Sequence, residues 1–521
     1  MFKILDCTLR DGGYYTNWDF DRGLVNDYFH AMSRLPVSYL EIGYRSQMTE
    51  EYTGQYYSLP RSTLVEIYEN MPNGPALALM LDAKNNMPDD VPALLEDCKG
   101  LVKLVRLAID PEKLDHGLAL AKTIQKEGFE VGLNLMYLSK HWNNVEMYKL
   151  LAQKASQVEY ISLVDSFGAC YPHQVAHAFK LAKSLIKVPL GFHGHDNLTL
   201  AFANAICAIE NGAEVIDSTV LGMGRGAGNL RTEIIVGYLG ETTDNHVDLL
   251  PMAGLLEDFS RMQMKYGWGT TLPYIIAGFG ELPQKNVMDW LSQNRYSTFS
   301  IVNALQGQKL GNIADGITGK SKEYTNREVE TAIVIGGGQS AVDHADAIIS
   351  CAKSNDAMLI HSSIRNIKHY VHSGIPQILC LIGDEVSKIK FKDLQLYADI
   401  IDSFIMADND ITRASLPDVI LGKSFRVKSI ETDTALQDTL LGSATPLGTA
   451  FGAALILKSQ EVWLAGFDGY EADSGYSEDE NRHIIKIIRD EFLNVSLSSL
   501  TPSKYDIKEV SVYSRMLHDN N

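Results

Sequence analysis

The run Phe192-His193-Gly194-His195-Asp196-Asn197 concentrates more potential chemistry than any other stretch of the chain. The apolar residues Val188-Pro189-Leu190 precede it and a helix-like segment, 199–209, follows, so it reads as the end of a buried strand. Side chains at i and i+2 of a strand share a face. His193 and His195 therefore project together from a carboxyl end, and paired imidazoles suit a divalent metal. Asp11, just after the first strand, supplies a carboxylate for the same set. One carboxylate and two neutral imidazoles leave open positions for substrate oxygens and water. A mixed O/N set favours Mn²⁺ or Mg²⁺ and also admits Zn²⁺ or Fe²⁺. Arg10, beside Asp11, offers a fixed positive charge where an enolate oxygen develops. A 2-oxo acid bound through carboxylate and ketone could form or lose a C–C bond through that enolate.

These residues need a scaffold that brings distant strand ends together. Short apolar runs at 3–7, 38–43, 76–81, 101–108, 131–136, 160–164, 188–192 and 214–218 alternate with amphipathic segments. Eight strands alternating with helices predict an α/β fold whose first 240 residues form a (β/α)₈ barrel. In such a barrel, chemistry sits at the carboxyl ends of the strands. The polar residues fall there: Asp6, Arg10 and Asp11, then Glu41, Arg106, Asn134 and Tyr137, and later Asp165, Ser166, the two histidines, Asp217 and Thr219. Residues 8–17 read as a polar, glycine-containing loop. After the eighth strand, Gly222-Met223-Gly224-Arg225-Gly226-Ala227-Gly228-Asn229 lets backbone approach a ligand or turn tightly. Asn229 suits two roles equally, a contact to a metal or its water and a plain turn.

Residues 241–306 read as a helical extension, 307–329 as a polar linker and 330–521 as a second domain. There, strands at 331–335, 357–361, 376–381, 402–407, 425–429 and 462–466 alternate with helices, the pattern of an open, doubly wound, Rossmann-like sheet. Gly336, Gly337 and Gly338 turn the first strand into a helix. That turn could hold a phosphate at the helix N-terminus, and a packing role for the glycines accounts for them nearly as well.

The 521-residue length suits two or three domains, and the 45% apolar content an ordinary globular protein. A net charge of −19 argues against nucleic-acid binding. Six scattered cysteines without metal or disulfide spacing suit a reducing compartment. The first residues lack a signal-peptide layout and no apolar run approaches the roughly 20 residues of a membrane span, so a cytoplasmic location is expected.

Asp6-Cys7-Thr8-Leu9-Arg10-Asp11-Gly12-Gly13, with Glu41, the His193-Gly194-His195-Asp196-Asn197 run and residues 224–229, resembles the DRE-TIM metallolyase superfamily over residues 1–240. Within it, the short first motif looks closest to the 4-hydroxy-2-oxovalerate aldolase and HMG-CoA lyase-like branch. The resemblance implies a lyase with metal ligands at Asp11, His193 and His195, assisted by Asn229, and enolate stabilisation by Arg10. It implies a 2-oxo acid of the pyruvate type and an aldehyde as substrates, and a homo-oligomer. Pyruvate aldolases of this group carry a histidine shortly after the metal aspartate as a proton relay; here Tyr14-Tyr15 stands in its place. Tyr14 is one candidate for the proton relay, and Glu41, Tyr137 or a water are others. An acyl-CoA condensation with a 2-oxo acid is the alternative chemistry. The second domain resembles MptE-like pterin diphosphokinases and bacterial sialyltransferase-type domains. That resemblance implies a nucleotide or nucleotide-sugar held near Gly336, Gly337, Gly338 and Asp468, and with it a bifunctional protein of sugar or surface-glycan assembly.

Overall fold

Eight parallel strands close into a barrel in the first part of the chain: β1 (Lys3–Asp6), β2 (Tyr39–Tyr44), β3 (Ala76–Leu81), β4 (Leu104–Ile109), β5 (Glu130–Leu135), β6 (Tyr160–Asp165), β7 (Leu190–Gly194) and β8 (Ala213–Ser218). Each strand pairs with the next, and β8 pairs back on β1 with Lys3 opposite Val215 and Asp6 opposite Ser218. This is a computed structural model describing residues 2–46, 52–243, 247–292, 296–309, 328–383, 385, 389, 393–406, 424–426, 445–469 and 475–519. The chain divides into two compact units, Met1–Ser292 and Gln293–Asn521.

The two-residue period of the strands sorts the barrel into layers. Outward positions such as Ile4, Leu40, Leu79, Val105, Leu133, Ile161 and Ile216 join the main core beneath the helices. Inward positions Leu5, Tyr39, Ala78, Leu104, Tyr160 and Val215 make a separate apolar plug. Two residues further along the same faces come Glu41, Arg106, Ser162 and Asp217, all buried. The plug therefore supports a charged layer nearer the carboxyl ends, where the period-2 pattern alone places it.

Among the described residues the second unit holds an open sheet of seven parallel strands. They are β9 (Thr331–Ile335), β10 (Met358–His361), β11 (Gln377–Leu381), β12 (Ser403–Met406), β13 (Ser424–Arg426), β14 (Glu461–Ala465) and β15 (Ser496–Ser499). Their order is β13-β12-β11-β10-β9-β14-β15. Alternate residues of one strand enter different cores: Ala332 and Val334 one, Ile333 and Ile335 another. Both faces are thus covered, which is why these strands read as unbroken apolar runs. The direction of the order reverses between β9 and β14, so Gly336 and Asp468 follow strands that flank the reversal point.

Four local expectations need correction or completion. Residues 8–16 are helical, Thr8–Thr16, rather than a loop. Gly12 and Gly13 suggest a loop by propensity, but tight packing requires them: a Cβ on Gly13 would lie 2.1 Å from the Trp18 ring and one on Gly12 2.6 Å from Met223 Sδ. Asn17, in the left-handed conformation at φ 54°, ends that helix. β7 runs to Gly194 rather than stopping at 192, so His193 lies inside the strand. A helix, Thr298–Lys309, extends into the start of the expected linker, and β15 was not anticipated. Residues 310–327 of that linker and 427–429 of the expected strand lie outside the described residues. All six cysteines are free, five of them buried. Among the described residues no helix is long and apolar enough to cross a membrane.

Candidate metal centre

Asp11, His193 and His195 converge at the carboxyl end of the barrel, all buried, with one ligand atom from each lying within 4.8 Å of the others. The helix Thr8–Thr16 delivers Asp11. It starts immediately after β1, where the Thr8 N–H donates to Asp6 Oδ1 at 2.9 Å and the Asp11 N–H to the Cys7 carbonyl at 2.9 Å. β7 delivers His193, and His195 sits in an isolated bridge with Asn229 just beyond it.

The imidazoles are oriented by their outer nitrogens. His195 Nδ1 lies 2.9 Å from the Asp165 carbonyl. A carbonyl only accepts, so Nδ1 carries the proton and the Nε2 lone pair is free. His193 Nδ1 lies 2.9 Å from Asp217 Oδ2, leaving its Nε2 facing Asp11 Oδ2 at 3.9 Å. Burial, then the neighbouring His193, push the His195 imidazole down to about 3, so it is neutral at physiological pH. Burial alone would raise the Asp11 carboxyl, but Arg10, the two histidines and Arg225 outweigh it and hold it at about 2. The set is thus one ionised carboxylate and two imidazoles, one of them held neutral, the mixed O/N donor chemistry a divalent cation takes. Asn229 donates Nδ2 to Asp11 Oδ2 at 2.6 Å, and its Oδ1 is buried without a hydrogen-bond partner, an orphaned acceptor beside the same carboxylate.

A second grouping, Cys7, His193 and Asp217, meets the same spacing. It fits a metal poorly. Burial pushes the Cys7 thiol well up, keeping it protonated, and Asp217 is already the partner of Arg106 and His193.

Behind the ligands runs a chain of charge. Arg10 donates Nη1 to Asp11 at 2.6 Å and Nε to Glu41 Oε2 at 2.7 Å. Arg106 lies 3.2 Å from the same Glu41 oxygen, pairs with Asp217, and donates Nε to Asn134 at 3.1 Å. Two arginines and three carboxylates therefore hold one another rigid inside the barrel. Removing one member would strand buried charge, a loss of about 3–5 kcal/mol. Glu41 sits between two guanidiniums, the position of a group that aims Arg10.

Tyr14 projects from the same helix. Its hydroxyl lies 2.8 Å from that of Tyr44, its ring meets Trp18 edge-on, and the Arg225 guanidinium lies 4.3 Å from its ring centroid. The loop bearing Arg225 and Asn229 is anchored from the helices beyond the barrel. Trp268 donates to the Leu221 carbonyl at 3.0 Å, and Gln284 Oε1 accepts from the Ala227 N–H at 3.2 Å. Gly228 has φ 82°, and a Cβ there would meet the Gly222 carbonyl at 2.3 Å, so only glycine closes the loop. Arg225, inside the glycine string, is a site residue that motif and spacing alone do not single out. An arginine interrupting a glycine-rich loop at a strand end was the available signal.

In the second unit the structure also brings Gly336, Gly338 and Asp468 together. Gly336 N–H donates to Ala465 and Gly338 N–H to Gly466, both at 2.8 Å. Asn366 Nδ2 donates to the Gly336 and Gly338 carbonyls at 3.0 and 2.9 Å. Asp468 accepts from the Ser340 N–H at 2.8 Å and pairs with its hydroxyl, taking the place at that helix start where an anion would lie.

A family profile described as HMGL-like matches residues 111–253. A 4-hydroxy-2-oxovalerate aldolase of Moorella thermoacetica is 30% identical over 239 residues, 45% of this chain and 69% of that protein. One from Brevibacillus brevis is 30% identical over 272 residues, 49% of this chain and 75% of that protein. The solved N-terminal domain of a putative aldolase from Bacteroides vulgatus is 43% identical at a TM-score of 0.54, covering 58% of this chain and all of that domain. Through its N-terminal half the chain belongs to the HMGL-like (DRE-TIM) family of metal-dependent aldolases and lyases.

Proposed function

We propose that the barrel forms or cleaves the bond between C3 of a pyruvate-type 2-oxo acid and the carbonyl carbon of an aldehyde. The convergence of Asp11, His193 and His195 beside a fixed Arg10 carries this reading. Asp11, His193 and His195, with Asn229 assisting, would hold Mn²⁺ or Mg²⁺, with Zn²⁺ or Fe²⁺ as alternatives; the ion supplies Lewis-acid polarisation of the substrate carbonyl. In the condensing direction C3 loses a proton, the new carbon–carbon bond forms to the aldehyde carbon, and the resulting alkoxide takes up a proton. Cleavage reverses these steps. Arg10 places its guanidinium where the enolate oxygen gains charge, an electrostatic contribution of about 3–4 kcal/mol in comparable sites. Glu41, between Arg10 and Arg106, positions that guanidinium. The Tyr14 hydroxyl carries the proton to and from the alkoxide. Its partner is the Tyr44 phenol, which burial pushes well above the ordinary range and so keeps protonated.

The test supplies 4-hydroxy-2-oxo acids to the purified full chain with Mn²⁺ or Mg²⁺ and follows release of the 2-oxo acid. Release that stops on chelation and falls in Tyr14→Phe supports the reading. Release of free CoA from an acyl-CoA and a 2-oxo acid, without any aldol cleavage, would instead favour the condensing-enzyme chemistry.

A further inference from the structure

Arg10, Arg106 and Arg225 stand around the candidate metal centre, and the first two are matched. Arg10 is held by Asp11 and Glu41, and Arg106 by Glu41 and Asp217. Arg225 has no carboxylate within ion-pair distance among the described residues. Its Nε is buried without a hydrogen-bond partner, and its guanidinium lies over the Tyr14 ring at 4.3 Å. The side chain is half-buried, and the ring it covers projects from the helix Thr8–Thr16 that also carries Arg10 and Asp11, so its guanidinium lies beside the proposed proton carrier.

A half-buried guanidinium whose Nε is buried without a partner gains from an anionic group that completes its donors. The protein's own carboxylates do not complete it: Asp11, Glu41 and Asp217 are committed to the other two arginines and the histidines. Its loop is pinned, with Gly226 N–H donating to the Tyr15 hydroxyl at 3.1 Å and Gly228 N–H to the Arg225 carbonyl at 3.1 Å, so the side chain has a fixed base. Planar donors in a rigid fork match a carboxylate or a phosphate. Within the reading above, the 2-oxo acid and its enolate bring charge to be met by the cation and Arg10. Arg225, stacked on the tyrosine that serves the aldehyde oxygen, lies on the acceptor's side.

We propose that Arg225 selects an aldehyde bearing an anionic group, a carboxylate or a phosphate, as the partner of the 2-oxo acid. This rests on the aldolase reading of the same site. Atoms balance as in the parent reaction, because the anionic group takes no part in bond making.

The test uses the full chain with Mn²⁺ and pyruvate. The acceptors are succinic semialdehyde for carboxylate, glyceraldehyde 3-phosphate for phosphate, and propionaldehyde as the neutral comparison. The wild type is expected to prefer one anionic acceptor by about 10- to 100-fold in kcat/KM. R225Q should abolish that preference, raising KM for the anionic acceptor far more than KM for pyruvate in C3 proton exchange, and R225K should restore part of it. No anionic preference in the wild type, or a rise in the pyruvate KM of R225Q in place of the acceptor KM, would overturn the proposal. Absence of pyruvate exchange in the wild type would instead overturn the aldolase reading beneath it. If R225Q does not fold, the wild-type acceptor preference and the R225K comparison still decide.

Discussion

The carboxyl end of the barrel and the carboxyl edge of the second sheet are built alike and spend their polar groups differently. Each gathers strand-end loops, a glycine-rich turn and an aspartate. In the second sheet the donors close on the protein itself: the Gly336, Gly338 and Ser340 amides go to Ala465, Gly466 and Asp468. In the barrel the outer groups are tied down while inner ones are left open. Among the described residues the Asn229 Oδ1 and the Arg225 Nε are buried without partners at the centre, and His195, tied through Nδ1, leaves Nε2 for a ligand. Unspent, oriented polarity marks a site better than glycine content does, because glycines serve close packing as readily as ligand approach.

The comparison breaks most sharply at the metal ligands. His195→Ala should lose bound metal and lose turnover by at least about 10²–10³-fold together; metal analysis showing a full complement in that variant would remove His195 from the ligand set. Arg10→Lys should keep metal yet lose turnover on the order of 10²-fold, because an ammonium cannot reach Asp11 and Glu41 at once. Wild-type turnover with metal bound would end the enolate role.

Two smaller effects probe the second unit. Burial, opposed only by the Gln377 hydrogen bond, pushes the His361 imidazole down to about 4. A base with a lowered folded pKa stabilises above its unfolded value near 6.5 and loses that contribution as pH falls through 4. Denaturant melts of the second unit's transition should therefore weaken by about 3 kcal/mol between pH 6.5 and 4, and His361→Gln should flatten the slope. An unchanged slope in the variant would place the sensitivity elsewhere. Gly338→Ala should cost about 1–3 kcal/mol, since a Cβ there meets the Asp468 carboxylate and the Gly466 carbonyl at 2.6 Å. A neutral outcome would show the turn is not packed against Asp468 in solution.

Much of this was legible in the residues because period-2 patterning survives translation into structure. All eight barrel strands were found in order, and the strand-end polar residues from Asp6 to Asp217 do gather at one end. His193 and His195 share a face for the reason their spacing gives. The helix Thr8–Thr16 was not legible, because Gly12 and Gly13 signal a loop and only contacts with Trp18 and Met223, the latter more than 200 residues away, make them helical. Pairings across the barrel were equally hidden. Nothing local says that Asp217 orients His193, that Glu41 bridges two arginines, or that Arg225, beside the matched Arg10 and Arg106, lacks a carboxylate among the described residues.

The central claim is that this centre makes an enolate from a pyruvate-type acid. It is tested most directly by following C3 proton exchange of pyruvate in D₂O by mass spectrometry, with Mn²⁺ present, then chelated, then restored. The account predicts deuterium incorporation that stops with the chelator, returns with the metal and is absent in His195→Ala. Incorporation that persists after chelation, or none with metal present, would contradict it.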